Sequence, residues 1–262
     1  KPTGNLQEAA RSARRRLLGE AARALDLDTL LLAHHADDQA ETFLLRLARG
    51  SGVVGLSAMA ASRHDGDLLI LRPFLDLPKA RLVATLSARD VTWIEDPSNA
   101  DPRFDRARLR RAMPLLADLG LDRDKLVATA AAMGRAAAAI DGLVADLEAR
   151  AVVHHPAGFA RMAVASWREA PDEVRLRSLS RLIREISGRD HGPRLGALRR
   201  LDAGLRAEYG GFATSTLAGV RIEARGGWIW FAPEGGRTAA FRLAPGETAR
   251  IGGRTFRLMP DA

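Results

Sequence analysis

The sequence predicts an α/β protein in which a parallel sheet with crossing helices is followed by a helical region and a small β-rich part. In the first part, short apolar runs alternate with segments of helical spacing, a pattern typical of parallel sheets with right-handed crossovers. A cluster of polar residues, His34 to Glu41, follows directly on one apolar run. In an open α/β sheet, that carboxyl end of a strand is where ligands bind.

The elements of the first part are predicted from the periodicity of apolar residues and from turn residues. Small apolar side chains at three- and four-residue spacing begin near Asn5, and Pro78 is suited to the first turn of a helix. Asp96 to Asn99 is a strong turn pattern. The predicted elements are helices from about residue 5, over 37–49 and over 78–89, and strands over 25–33, 68–71 and 91–94.

The second part begins where the composition becomes rich in alanine, and Asp122 is expected to cap its first helix. The predicted apolar stripe of that helix consists of Leu126, Met133, Ile140 and Leu147, seven residues apart. Further helices are expected over 171–188 and 193–206, and strands over 212–217, 220–224, 228–231, 241–243 and 255–258. The predicted domains are 1–119, 120–206 and 207–262.

Composition excludes several classes of function. The 262 residues include no cysteine, which excludes disulfides, a cysteine nucleophile, thiolate zinc sites and iron–sulfur clusters. The net charge of +8 and the pI of about 11.0 favour a polyanionic partner, and nucleic acid first. Because neither a long apolar run nor a signal peptide is evident, we expect a cytoplasmic protein without membrane contact.

The polar cluster has the residue types of a metal and phosphate site. Asp37 falls in the first turn of the predicted helix, where the dipole favours negative charge, and Asp38 and Glu41 share one face. Such carboxylates can hold Mg²⁺ while phosphates and water complete its coordination. A capping aspartate beside solvated acids is the structural alternative. A zinc hydrolase is the functional alternative, but the remaining histidines show no convincing ligand spacing.

Residues 1 to about 120 contain an ordered series of motifs. The series begins with Asn5 to Arg14 and continues through the His34–Glu41 cluster, Arg49 to Gly52, and Arg72-Pro73. It ends with Trp93 to Asn99 and with an arginine-rich helix. This series resembles the tRNA(Ile)-lysidine synthetase family, whose Trp-x-Glu-Asp-Pro-Ser-Asn motif is similar to residues 93–99. The family's Ser-Gly-Gly-x-Asp-Ser loop is missing, so we expect the chain to begin downstream of it.

The resemblance implies a PP-loop ATP pyrophosphatase fold, similar to adenine nucleotide alpha hydrolases, with an appended helical domain. It also implies a ligase reaction. ATP adenylates the C2 oxygen of the wobble cytidine in a tRNA(Ile) with a CAU anticodon, and pyrophosphate leaves. The ε-amine of free L-lysine then displaces AMP, and the lysidine formed changes the codon read from AUG to AUA.

The resemblance also suggests roles for individual residues. His34, Asp37 and Asp38 would line the ATP–Mg²⁺ side of the crevice, with Asp37 and Asp38 as metal ligands. Asp38 and Glu41 could hold an ammonium group of lysine, because two carboxylates on one face form a cation site. The lysine carboxylate could be clamped by one of three arginines, and the sequence does not distinguish among Arg106, Arg108 and Arg110.

Three further segments have both a functional and a purely structural interpretation. Arg49, Gly50, Ser51 and Gly52 form either a phosphate cradle or a helix C-cap. Asp96, Ser98 and Asn99 either present the cytosine or lysine to the crevice or only form a turn. Five arginines of the later helices either contact tRNA phosphates or lie on a solvated helix face. They are Arg177, Arg181, Arg184, Arg199 and Arg200.

Four functions remain to be distinguished at this point. They are the lysine-adding tRNA ligase, another PP-loop tRNA-modifying enzyme, a metal-dependent hydrolase built on the His-Asp cluster, and a non-catalytic RNA-binding module. The expected cofactors of the first are ATP and Mg²⁺, and its partners are the tRNA and L-lysine. The sequence does not determine whether the protein forms a homodimer.

Overall fold

The computed structural model divides the chain into two units, Lys1–Ala138 and Ala139–Ala262. It describes residues 6–94, 101, 103–189, 191–207, 212, 214–235, 248–251 and 254–257. The three-domain division at residues 119 and 206 stays a prediction.

The first unit is an α/β arrangement, as the alternation of apolar runs and helical segments predicts. Its described elements are α1 (Leu6–Ala24), β1 (Thr29–Leu31), α2 (Ala36–Ala48), α3 (Val53–Leu56), β2 (Ser62–Asp65), β3 (Leu68–Leu71), α4 (Lys79–Ser87), α5 (Asp105–Asp118) and the start of α6 (Arg123–Ala151). The predicted helices over 5–24, 37–49 and 78–89 are confirmed within a residue or two of each end.

The sheet of the first unit has the strand order β1-β3-β2. Strands β1 and β3 are parallel, with Thr29 opposite Leu69, which confirms the predicted parallel crossover. Strand β2 pairs with β3 in antiparallel fashion and was not predicted, because its polar sequence gives no apolar alternation. The predicted strand over 91–94 is wrong. These residues have no strand structure, and Ile94 is 96% exposed, so no packing favours an extended pair there.

Helix α2 packs in the core of the first unit along most of its length. Ala40 and Phe43 are buried with Ala58 and with Leu126 and Ala130 of α6. The predicted cap of α6 is confirmed, since Asp122 Oδ1 accepts a hydrogen bond of 2.9 Å from the Lys125 N–H. The stripe predicted for α6 begins in this core.

The second unit combines helices with an antiparallel sheet. Its described elements, after the remainder of α6, are β4 (Val152–His154), β5 (Ala160–Ala163), α7 (Val164–Glu169), α8 (Asp172–Ser187), α9 (Leu195–Ala207), β6 (Ser215–Leu217), β7 (Val220–Arg225), β8 (Trp228–Pro233), β9 (Thr248–Ile251) and β10 (Arg254–Arg257). Helix α8 ends at Gly188, which has φ +65°, as the predicted C-cap requires. The strand predicted over 241–243 lies outside the described residues.

The five-stranded sheet of this unit has the order β4-β5-β8-β7-β6. Strands β4 and β5 were not predicted, because they are short and follow the helical repeat of α6 directly. Residues alternate between the two faces of the sheet. On one face Met162, Ile229 and Phe231 are fully buried in a core that also includes Leu179 and Ile183 of α8. The opposite face carries mainly polar and aromatic side chains.

A buried ion pair links α8 to α9. The Arg175 side chain is only 4% exposed, and its Nε donates a hydrogen bond of 3.0 Å to Asp202 Oδ1. Its Nη1 donates to the Ala170 carbonyl at 2.6 Å, and its Nη2 donates to Asp172, whose side chain is 82% exposed. Asp202 is therefore the one of these two carboxylates that compensates the charge inside the core.

Helix α6 is long and apolar enough to cross a membrane by length and composition, with a mean hydropathy of 1.3 over its most apolar window. It is the single such helix among the described residues. This is weak support for a membrane span, because core helices have the same composition. Leu126 and Val144, 4% and 0% exposed, lie in the cores of the two units.

Glu148 of α6 offers a test by pH. Burial raises the pKa of its carboxyl, although Arg181 lies 3.4 Å away and His154 and Glu185 are also nearby. The native state therefore binds this proton more tightly than the unfolded state does, and stability is lost as the pH rises from the pKa of the unfolded state through the raised pKa of the folded state. We expect Glu148→Gln to raise the melting temperature by a few degrees near neutral pH.

The gain from Glu148→Gln should shrink towards acidic pH, where Glu148 is protonated in both states. Thermal melts of both chains over this pH range measure the difference. A gain that is constant with pH would show that the charge of Glu148 does not cause it.

Candidate active site

The polar cluster lies where β1 leads into α2, as the sequence predicts. His35 is the N-cap of α2, and its backbone N–H donates a hydrogen bond of 3.1 Å to Asp38 Oδ2 at the third helical position. The His35 imidazole lies between two carboxylates, with Nδ1 3.5 Å from Asp37 Oδ2 and Nε2 3.4 Å from Asp38 Oδ2. The N-cap is thus a histidine and not an aspartate, and Asp38 and Glu41 are buried, so the alternative of a capping aspartate beside solvated acids is wrong.

Asp37 connects the start of α2 to the start of α4. Its Oδ2 accepts a hydrogen bond of 2.8 Å from the backbone N–H of Lys79, and the N–H of Ala36 donates to the Leu77 carbonyl at 2.9 Å. Two helix N-termini therefore meet at this carboxylate, which is 40% exposed. Aligned N–H groups at helix starts attract anions, so the surroundings suit phosphate as well as a carboxylate.

Glu41 holds Arg110 of α5. The Glu41 side chain is 3% exposed and accepts from both Nε and Nη2 of Arg110, the latter at 3.3 Å. The same Nη2 lies 3.8 Å from Asp38 Oδ1. The hydrogen bond to Glu41 raises the pKa of the Arg110 guanidinium. The two carboxylates thus contact a guanidinium of the chain itself, and their predicted role in holding the ammonium group of lysine stays a prediction.

The structure distinguishes the three arginines of α5, which the sequence could not. Arg106 and Arg110 are four residues apart and face α2, and Arg106 Nη2 lies 3.5 Å from Thr42 Oγ1. Arg108 lies on another face and pairs with Asp105, with 60% of its side chain exposed. Only Arg110 contacts the acidic cluster among these three.

Gln39 was missed by sequence reasoning, although it lies inside the motif. Its side chain is 8% exposed and makes two hydrogen bonds with Met59, donating to the carbonyl at 2.9 Å and accepting from the N–H at 2.8 Å. Arg46 of the same helix donates to the carbonyls of Gly55 and Ala58. Both side chains fix the segment that follows α2. A polar residue one position from a carboxylate gives no separate signal of this role.

An arginine-rich cavity of about 480 Å³ lies beside His34, between α1 and the sheet. Its apolar wall comes from strands β1 and β3, and Asp65 is its one acidic lining residue. The basic residues that line it are Arg14, Arg15, Arg16, Arg23, Arg63 and Arg72. Arg15 donates a hydrogen bond to Asp65 that lowers the pKa of that carboxyl. Sequence reasoning missed this site because its arginines come from three separate elements.

The predicted phosphate loop, Arg49 to Gly52, lies at the opposite end of α2 from His34 and Asp37. Gly50 has φ +69°, and its N–H donates to the Leu47 carbonyl at 2.9 Å, so this segment caps the helix. A helix of 13 residues is about 20 Å long, which separates the two predicted groups of nucleotide ligands. A phosphate role for residues 49–52 stays a prediction.

The remaining predicted residues are the turn from Asp96 to Asn99 and the ligands of a metal ion. Asp96, Ser98 and Asn99 lie outside the described residues. Within the described part of the chain, no group of three or more histidine, aspartate or glutamate side chains is arranged to hold a metal ion. A zinc site of three protein ligands is therefore not present among those residues.

The arginines predicted to bind tRNA differ in their surroundings. Arg177 is 11% exposed and pairs with Glu173 and Asp141, at 3.0 and 3.2 Å. Arg181, 42% exposed, pairs with Glu148. Arg184 of α8 and Arg199 and Arg200 of α9 are exposed. The exposed set is better placed for phosphate contacts, and the tRNA role of all five stays a prediction.

Comparison with known proteins shows which family the chain belongs to. Residues 1–116 match the PP-loop domain family. The chain is 42% identical over 246 residues to a tRNA(Ile)-lysidine synthase of Methylobacterium nodulans, a match covering 91% of this chain and 72% of that protein. It is 40% identical over 253 residues to the enzyme so named from Bradyrhizobium diazoefficiens, covering 89% and 70%, and 43% identical over 203 residues to that of Rhodopseudomonas palustris, covering 77% and 58%. The chain belongs to the tRNA(Ile)-lysidine synthase family.

Proposed function

We propose that the protein joins L-lysine to C2 of the wobble cytidine of tRNA(Ile) with a CAU anticodon, at the expense of ATP. The base is first adenylated at its C2 oxygen, with loss of pyrophosphate. The ε-amine of lysine then displaces AMP and forms lysidine. Family membership supports this reaction, and the observation that carries it to particular residues is the contact of Arg110 with Glu41 and Asp38.

The nucleotide would bind between the start of α2 and the arginine-rich cavity. His34 lines that cavity, and Asp37 lies close by at the helix N-terminus, where aligned N–H groups favour phosphate. The arginines of the cavity would neutralise the charge that develops at the α-phosphate during transfer. Fixed positive groups are effective here because they need no rearrangement as the reaction proceeds.

Asp37 is the carboxylate best suited to Mg²⁺. Only its Oδ2 takes part in the contacts described above, and its side chain is 40% exposed. Asp38 is less accessible, at 12%, and lies beside His35 and Arg110. Mg²⁺ is commonly held by one or two carboxylates together with substrate phosphates and water, which this arrangement permits. When bound, the ion would neutralise the phosphates and orient the pyrophosphate leaving group.

Arg110 would position lysine through its α-carboxylate. Its Nε and Nη2 face Glu41, which leaves Nη1 for an anion. The guanidinium is 39% exposed, so a substrate can reach it. An ammonium group of lysine could alternatively bind Asp38 if Arg110 moved aside. In both cases the charge of Glu41 controls the position of Arg110. Arg106, which lies beside Thr42 of α2, would complete the substrate site together with Asp96, Ser98 and Asn99. Arg108 pairs with Asp105 on another face of α5 and would lie outside this site.

The exposed arginines of the second unit would contact tRNA phosphates, and the protein would act in the cytoplasm. Arg184, Arg199 and Arg200 contribute exposed positive charge. Contacts of this kind position a tRNA without reading its sequence. Replacing one arginine that binds a phosphate should reduce the slope of log affinity against log salt by about one.

The test of the reaction is incorporation of labelled lysine. The full-length protein is mixed with Mg-ATP, labelled lysine and tRNA(Ile) with a CAU anticodon, and label in the RNA is counted. We expect incorporation that needs both ATP and the wobble cytidine. A tRNA with uridine at that position is the control. A folded protein that binds the tRNA but transfers no lysine would contradict the proposal.

A further inference from the structure

The outer face of the five-stranded sheet carries aromatic rings and guanidinium groups side by side. We call it the tryptophan face, and it consists of Phe159, Arg161, Arg225, Trp228 and Trp230. On β8 the two tryptophans alternate with the fully buried Ile229 and Phe231. Both indoles therefore point away from the core, and both are partly exposed. A sheet face that only contacts solvent usually carries polar side chains, so two tryptophans on this face suggest a binding role.

The neighbouring strands place arginines against these rings. Arg161 on β5 lies directly opposite Trp230, and its guanidinium carbon is 4.2 Å from the centre of the Trp228 ring and 5.5 Å from that of Trp230. Arg225 on β7 is 5.1 Å from the Trp230 ring. Phe159 extends the row, with its centroid 5.9 Å from that of Trp230. The result is a continuous row of planar groups.

The charge of this face is positive. Arg225 is 65% exposed, and Arg221 on the same strand is 58% exposed. Glu223 lies between them and contacts both, at 2.9 Å from Arg221 and 3.6 Å from Arg225. Together with Arg161, this side of the sheet therefore carries three guanidinium groups, and Glu223 is the carboxylate that pairs with two of them. An anionic partner is attracted to such a surface, whereas a second copy of the same face would be repelled.

One hydrogen-bond donor on this face has no acceptor. Within the part of the chain that the structure describes, Nε1 of Trp230 is shielded from solvent and has no hydrogen-bond partner. A shielded donor of this kind is costly unless an acceptor reaches it. An acceptor oxygen of a ligand that reached this N–H would remove that cost.

We propose that the tryptophan face binds unpaired nucleotides of RNA, by stacking bases on the indole and guanidinium planes and by pairing phosphates with the arginines. Bases of a duplex are stacked on one another and cannot reach these rings, whereas splayed bases of a loop or a single-stranded end can. The inference builds on the proposed function, since a tRNA offers such unpaired segments. The tryptophan face would be a second surface for RNA. It is separate from the residues proposed above for lysine transfer and from the arginines proposed to contact tRNA phosphates.

The first experiment needs no substitution. Native protein is irradiated with a short unpaired RNA, digested with trypsin and analysed by mass spectrometry. We expect RNA-linked mass on the peptide from Gly226 to Arg237, which contains both Trp228 and Trp230. Cross-links confined to other peptides would overturn the proposal. A duplex RNA with the same number of phosphates is the control, and it should label this peptide much less.

The second experiment separates stacking from charge. The double variant W228L/W230L keeps apolar bulk but removes the rings, and we expect its affinity for the unpaired RNA to fall about tenfold or more, with little change for the duplex. The variant W228F/W230F retains aromatic planes and should lie within about threefold of the native affinity. Arg150→Ala removes an exposed arginine of the same unit outside this face and is the charge control.

Each result has one meaning. Equal losses for unpaired and duplex RNA would show a general charge effect and overturn the proposal. Unchanged RNA affinity with a lower oligomeric state of W228L/W230L would show that a second copy covers this face, and would also overturn it. Thermal melts establish that each variant is folded. Because RNA binding is measured without ATP or lysine, failure of lysine transfer in the native protein would contradict the proposed reaction without affecting this test.

Discussion

Glu41→Gln is expected to reduce lysine transfer by about 100-fold or more while leaving tRNA affinity within about twofold. The substitution keeps the shape of the side chain and removes its charge. Glu41 is 3% exposed and accepts two hydrogen bonds from Arg110, so its neutral form would release the guanidinium from the place where we propose it contacts lysine. Rates of lysine transfer and tRNA binding, measured on the same preparations, test this.

Asp124→Asn is a matched control for Glu41→Gln. Asp124 also pairs with an arginine, Arg123, but its side chain is 79% exposed and lies outside the cluster. We expect normal transfer and normal binding from it. A Glu41→Gln protein that lost tRNA binding as much as transfer would show that the cluster is a docking surface. Full transfer would show that the reaction does not depend on the charge of Glu41.

Asp202→Ala is expected to destabilise the second unit by about 3–5 kcal/mol. The substitution leaves the 4% exposed Arg175 without the carboxylate that compensates it in the core. The remaining partner, Asp172, is 82% exposed, and water screens its charge. Urea unfolding, followed by far-UV circular dichroism, measures the loss. Asp172→Ala removes the exposed partner alone and should cost about 1 kcal/mol or less.

The cost of Asp202→Ala comes from the unpaired charge, and a double variant tests that cause. Arg175→Met with Asp202→Leu replaces the pair with apolar side chains and should be more stable than Asp202→Ala alone. If the double variant were the less stable of the two, the packing of the pair and not its charge would control the stability of this core.

Periodicity predicted the longer helices α1, α2, α4, α6, α8 and α9, whereas the short helices α3 and α7 were missed because four and six residues are too few for an apolar stripe. Helix α8 is an example, with Pro171 before it and Gly188 after it. The strands were harder. Strand β2 is fully exposed and has no alternating pattern, so only its pairing with β3 reveals it. Residues 91–94 have a suitable local sequence but pair with no strand among the described residues, and propensity alone does not form a sheet.

The motif predicted where along the chain the candidate site lies, and the contacts within it depend on the tertiary fold. The resemblance named Arg110 as one of three candidates for the lysine carboxylate, but the sequence did not show that Arg110, 69 positions further along, would contact Glu41. The arginines around the cavity were missed for the same reason. For Arg177, the helical pattern suggested an exposed cation, whereas neighbouring acids on α6 and α8 enclose it.

Helix α6 restricts how the protein can be shortened. Its 29 residues contribute Leu126 to one core and Leu147 to the other, in the two units that share it. A truncation point inside this helix would create a new end with unpaired backbone N–H or C=O groups, about four of each. Truncated proteins intended to contain one intact core should therefore keep the whole of residues 123–151, and protease sites introduced there should release unstable fragments.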